Sequence, residues 1–119
     1  MLRTLRLSSI ALALCFAAPI LADEVGPGGA VVSVEVLTID SDEYQLFRGK
    51  VLLQRTTGPL VEYTFGGSTC KGRDLTETQI SILFDLAATP YMILVPRWKP
   101  GQGGASCLVG FQAFNRKYD

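Results

Sequence analysis

With 119 residues and 11 basic against 11 acidic side chains, the chain has no basic surplus of the kind that nucleic-acid binding needs. Its length allows one domain. It contains no histidine, which removes the commonest general base, the usual catalytic triad and the commonest zinc ligand together.

Residues 1–22 read as a secretory signal peptide. Arg3 and Arg6 give a positive start, Ile10 to Ala18 a short apolar stretch, and Ala22 a small residue ahead of the acidic pair Asp23 and Glu24. The apolar stretch is too short, and too soon followed by charge, for a membrane span, so no stable membrane insertion is expected after cleavage. Cys15 does not suit a lipoprotein signal, because Leu14 precedes it where a small residue is needed. The expectation is an exported protein, periplasmic or secreted. Trimming removes Arg3 and Arg6 and leaves a slight acidic excess.

Two cysteines survive trimming, Cys70 and Cys107, and an even pair in an exported chain predicts one disulfide. It would close a loop of roughly 40 residues, which stabilises by roughly 3–4 kcal/mol through loop entropy. With both thiols joined, no cysteine nucleophile is left in the mature chain.

Along the chain, residues 23–30 contain Gly26-Pro27-Gly28-Gly29 and read as a flexible leader, with a single globular domain over 31–119. Val31 to Ile39 is rich in β-branched residues and predicts a strand with Val32, Val34 and Val36 on one face. Asp40-Ser41-Asp42-Glu43 is a turn without the longer spacing of a calcium loop. A second strand is predicted over Tyr44–Thr56, with Phe47, Val51 and Leu53 sharing a face and Gly49 marking a bulge or a close backbone approach. After the Thr57-Gly58-Pro59 turn, Leu60–Phe65 alternates as a third strand with Val61, Tyr63 and Phe65 inward.

The sharpest local signal is a helix over Glu77–Ala88. Thr76 and Gln79 form a capping box, Leu75 and Ile80 a hydrophobic staple, and Pro90 a stop. Ile80, Leu83, Phe84 and Ala87 are its predicted apolar face. Tyr91–Val95 follows as a covered strand, Pro96–Ala105 as a Pro- and Gly-rich loop, and Ser106–Phe114 as the last strand.

The order βββ-α-ββ, with one helix between strands three and four, predicts an α+β fold with a small five-stranded, mainly antiparallel sheet and one disulfide. The alternative is an OB-fold barrel, for which this order is usual. The helix 77–88, the strand Tyr91-Met92-Ile93-Leu94-Val95 with Trp98 after it, and Cys107-Leu108-Val109-Gly110-Phe111 resemble the OB-type B subunits of bacterial A-B toxins of the subtilase and typhoid-toxin kind. That resemblance, at the level of pattern over roughly residues 30–112, implies a pentamer that binds cell-surface glycans; it carries no sugar-binding residue across. The disulfide pulls the other way. Parallel third and fifth strands would separate Cys70 from Cys107, whereas antiparallel pairing would bring them together, unless the Gly-rich loop before Cys70 folds back.

Joined cysteines would make neighbours of Gly66–Arg73 and Arg97–Gly104. Lys71, Arg73, Arg97 and Lys99 would supply charge, Trp98 a flat apolar surface, Gln102 an amide, and the glycines open backbone N–H groups. The spacing around Gly72 is not that of a P-loop, because Arg73 and Asp74 follow it. The function expected is a non-catalytic binding module for a glycan, an envelope component or another small polar ligand. The alternative is a periplasmic inhibitor or immunity protein that holds one protein partner through the 96–105 loop. No cofactor or metal is expected, and the oligomeric state is left open.

Overall fold

The computed structural model describes residues 22–118, so the signal-peptide reading of residues 1–22 lies almost wholly outside the described residues. The protein is α+β, with one helix, a six-stranded mixed sheet and one disulfide among the described residues. Strands β1 (Glu24–Val25), β2 (Ala30–Val36), β3 (Gly49–Gln54) and β4 (Val61–Phe65) precede helix α1 (Glu77–Ala88), and β5 (Met92–Pro100) and β6 (Ser106–Asn115) follow it. Their lateral order is β1-β5-β6-β4-β3-β2.

The extra strand lies in the segment read as a flexible leader. Glu24 and Val25 pair with Trp98 and Arg97, Gly26 N–H donates to the Pro96 carbonyl at 2.9 Å, and Gly29 exchanges backbone bonds with Leu94. Glycine is what allows so close an approach: a Cβ on Gly29 would lie 2.6 Å from the Gln54 carbonyl oxygen. The segment then continues as β2, antiparallel to β3. One stretch of chain, residues 24–36, therefore bonds to β5 at its start and to β3 at its end.

Strand β2 breaks register between Val31 and Ser33, and this corrects the predicted face. Val31 is buried and Val34 packs on the core, whereas Val32 and Val36 are exposed. An irregularity of this kind reverses which alternate residues point inward. The second predicted strand is also shorter than expected. Residues 42–46 form successive turns, with Leu46 and Phe47 N–H both donating to the Glu43 carbonyl, so β3 starts only at Gly49. Gly49 does mark a close approach, since a Cβ there would collide with the Glu35 carbonyl and the Phe65 ring. Phe47, Val51, Leu53, Tyr63 and Phe65 are buried as predicted.

Helix α1 has the bounds and the capping box read from the sequence. Thr76 Oγ1 accepts from Gln79 N–H at 3.2 Å, and Gln79 Oε1 accepts from Thr76 N–H at 2.8 Å. Its buried side chains are Leu83 and Leu86, with Ile80 packed beside them, while Phe84 is exposed. The inward stripe thus runs 80–83–86, one step round from the predicted 80–83–84–87, because the helix leans chiefly on β2. Core burial joins Val31, Val51, Leu53, Tyr63, Phe65, Leu83, Leu86, Leu94 and Leu108.

The third and fifth predicted strands, β4 and β6, pair in parallel, which overturns the antiparallel layout favoured from the disulfide. They meet only at Thr64 and Cys107, so the end of one lies beside the start of the other. The chain then reverses at Gly66 and Gly67, both with φ near +70°, and Gly66 bridges Cys70. Stagger and reversal together bring Cys70 to Cys107, with Cα atoms 5.6 Å apart. Strand β5 also runs through Pro100, so half of the predicted 96–105 loop is paired strand; Pro96 lies opposite Phe111 and is buried.

Candidate functional site

The disulfide locks together the Gly66–Arg73 turn and the Pro100–Ala105 turn, and both cysteines are buried. Gly101 lies directly against it: a Cβ there would collide with Cys107 Sγ and lie 2.6 Å from the Thr69 carbonyl oxygen. Gln102 N–H donates to that same carbonyl at 2.9 Å, and Arg73 Nη1 donates to the Pro100 carbonyl at 3.0 Å. Gly101 N–H donates to Ala105, closing the second turn. Each turn therefore satisfies backbone groups of the other, which fixes the two backbones together.

Between the turns is a cleft of about 230 Å³ lined by Ser68, Thr69, Lys71, Arg73, Pro100, Gly101 and Gln102. Three of the predicted site residues, Lys71, Arg73 and Gln102, meet here. The lining has two cations, two hydroxyls and an amide, and no carboxylate. The ion pairs among the described residues are Lys50–Glu62 and Arg97–Asp23, so neither Lys71 nor Arg73 is neutralised by one. Such a lining can donate several hydrogen bonds to an anion, the strongest from Arg73 and Lys71. It offers Ser68 and Thr69 no adjacent base.

The other three predicted residues are elsewhere. Trp98 is half-buried, pairs with Glu24 on one side and Leu108 on the other, and packs on the core. Arg97 Nη1 lies 3.5 Å from Asp23 Oδ2 on the exposed surface. Lys99 stands opposite Cys107 in β5 and does not line the cleft. They separate from Lys71 and Arg73 because β5 runs on to Pro100, carrying residues 97–99 along the sheet instead of into a loop.

Ser68, Thr69 and Gly101 are cleft residues that the sequence did not single out; their signal was position next to a cysteine or a helical turn, which is weak without the fold. Elsewhere, burial pushes the Tyr63 phenol pKa up, and the nearby Arg55 charge partly opposes this.

Compared with family models, curated proteins and solved structures, the chain finds no match in any of the three.

Proposed function

We propose that this protein is a small exported, non-catalytic binding module whose loop-pair cleft takes a polar, negatively charged ligand, such as an acidic glycan or an envelope component. The observation that carries this reading is the convergence of Lys71, Arg73 and Gln102 on a cleft without a carboxylate, in turns fixed to each other by a disulfide. Turns fixed to each other before binding lose little backbone freedom on binding, so even a small cleft gains affinity from them. Export is supported by the signal-like start and by the disulfide, which persists in oxidising compartments.

The strand path supports the OB-type alternative over an antiparallel layout. Residues 24–36 bond to both β5 and β3, and β4 lies parallel to β6, the neighbours that a five-stranded barrel of this type requires if β1 and β2 are two halves of one strand. A glycan ligand accords with the toxin-subunit resemblance. The inhibitor reading has less behind it, since the free part of its loop shrinks to Gly101–Ala105, a turn bonded to Thr69.

The test is retention of acidic and neutral glycans by the purified protein and by a Lys71→Ala/Arg73→Ala variant. The reading expects acidic glycans to be held by the first and lost by the second, with stability lowered by about 1 kcal/mol through the lost Arg73–Pro100 hydrogen bond and the fold kept. Equal retention by both proteins would refute it. Capture of one stoichiometric protein partner, lost on substitution at Gln102, would establish the inhibitor reading instead.

A further inference from the structure

A second cleft, of about 270 Å³, lies at the two ends of the Gly66–Arg73 turn, beside Phe65 and Asp74, between the Leu37–Arg48 connection and the start of α1. Its apolar surfaces come from Leu37, Phe65, Leu75 and Ile80. Its polar groups are Tyr44, Arg48 and Asp74, and they have an unusual relation.

Asp74 and Arg48 cross over the same α-carbon. A Cβ on Gly66 would collide with Asp74 Oδ1 and with Arg48 Cγ, and Gly66 has φ +73°. Carboxylate and guanidinium stem therefore run side by side. An arginine and an aspartate so placed would ordinarily close a salt bridge. Here the guanidinium turns away: Nη1 donates to the Tyr44 carbonyl at 3.1 Å, and the guanidinium carbon stands 3.9 Å above the Tyr44 ring. Neither Arg48 nor Asp74 is in an ion pair among the described residues. The cleft thus presents a positive group held on an aromatic ring, a negative group whose side chain passes the same α-carbon, and an apolar lining shared with both.

We propose that this cleft binds a small zwitterion bearing an apolar side chain, a free α-amino acid in its chemistry. Its carboxylate pairs with the N–H groups that Arg48 leaves unused, its ammonium pairs with Asp74, and its side chain lies on Leu75 and Ile80. A ligand of one charge would satisfy one partner and be repelled by, or leave unpaired, the other. A neutral apolar ligand would leave both charges beside a dewetted surface. The volume falls below the roughly 300–1,000 Å³ of drug-sized sites, which suits a molecule of amino-acid size. Lys71 and Arg73 do not line this cleft, although Lys71 lines an adjoining one with Arg48 and Asp74.

The experiment is an amide-resolved NMR titration of the purified protein with L-leucine, with isopentylamine, which has the ammonium alone, and with 4-methylpentanoate, which has the carboxylate alone. Saturable shifts at Tyr44, Leu75 and Ile80 are expected with leucine, and binding weaker by about tenfold or more with either analogue. Asp74→Asn, an exposed and near-isosteric change, should abolish the preference for leucine over 4-methylpentanoate, while Lys71→Ala/Arg73→Ala should leave it intact. A dispersed spectrum of the Asp74→Asn protein shows that its fold is kept. No saturable shift with leucine, equal binding of the analogues, or unchanged leucine affinity in Asp74→Asn would each overturn the proposal.

Discussion

Two clefts adjoin the Gly66–Arg73 turn and differ in their electrostatics: residues of the turn line one, and the residues at its two ends, Phe65 and Asp74, line the other. In the first, Lys71 and Arg73 meet Gln102 in a lining without a carboxylate, in a setting fixed by a disulfide and backbone bonds. In the second, Arg48 and Asp74 bring opposite charges to an apolar surface built by packing of α1 and the Leu37–Arg48 connection. The covalent staple serves the cation-rich face, whereas the dipolar face depends on Gly66, where two side chains pass over a backbone with no Cβ. The first should therefore be sensitive to the cross-link, and the second to glycine chemistry.

Removing the cross-link is the largest way to break the comparison. Cys70→Ala/Cys107→Ala should lower unfolding free energy by roughly 3–4 kcal/mol in urea titrations, given a separation of 37 residues. In the folded remainder, the cleft holding Gln102 should lose its order first, seen as faster amide exchange at Gln102 than at Ile80. Equal exchange at both would mean that the staple supports the whole turn.

Trp98→Ala sharpens the boundary of the cation-rich face. Because Trp98 packs on the core and does not line the cleft, the change should cost about 2–3 kcal/mol in the same titration, less than a fully buried tryptophan would. Acidic-ligand affinity of the folded protein should stay within about twofold of the parent. A loss of affinity with stability preserved would return Trp98 to the site.

Glycine substitutions separate the two faces next. Gly66→Ala meets both a left-handed φ and two occupied side-chain positions, whereas Gly72→Ala meets the φ alone, with open space around it. The first should cost about 2–3 kcal/mol and the second about 1 kcal/mol by thermal denaturation. Equal costs would show that Arg48 and Asp74 move aside freely.

The smallest effect is a titration in the core beneath both faces. Tyr63 keeps its proton in the folded state to a higher pH than in the unfolded chain, where it ionises near pH 10.0. Stability from this source is complete below about pH 10 and falls as pH rises through the higher folded value. Tyr63→Phe should flatten that alkaline slope in denaturation measured from pH 9 upward.

Legibility in the sequence followed how local each determinant is. The helix was readable to the residue, because its capping box, staple and proline stop all lie within one short window. The disulfide was readable from parity and compartment. The parallel pairing of β4 with β6 was carried only by the OB-fold alternative, since it depends on the stagger of two strands distant in sequence and on how sharply Gly66 and Gly67 reverse the chain. Val32 and Val36 were grouped on one face with Val34, which packs on the core while they are exposed, because one irregularity in β2 has no residue signature of its own. Lys71, Arg73 and Gln102 could be placed together once the cysteines were joined. Arg48 and Asp74 could not, because Arg48 sits in what reads as the middle of a strand and Asp74 as the lead-in to a helix.

The most direct test of the central claim is a backbone amide NMR titration with D-glucuronate and, separately, D-glucose. Saturable shifts are expected at Ser68, Thr69, Lys71, Arg73 and Gln102 with glucuronate, weakening as salt is raised, and none with glucose. Equal shifts with both sugars, or glucuronate shifts located away from these residues, would contradict it.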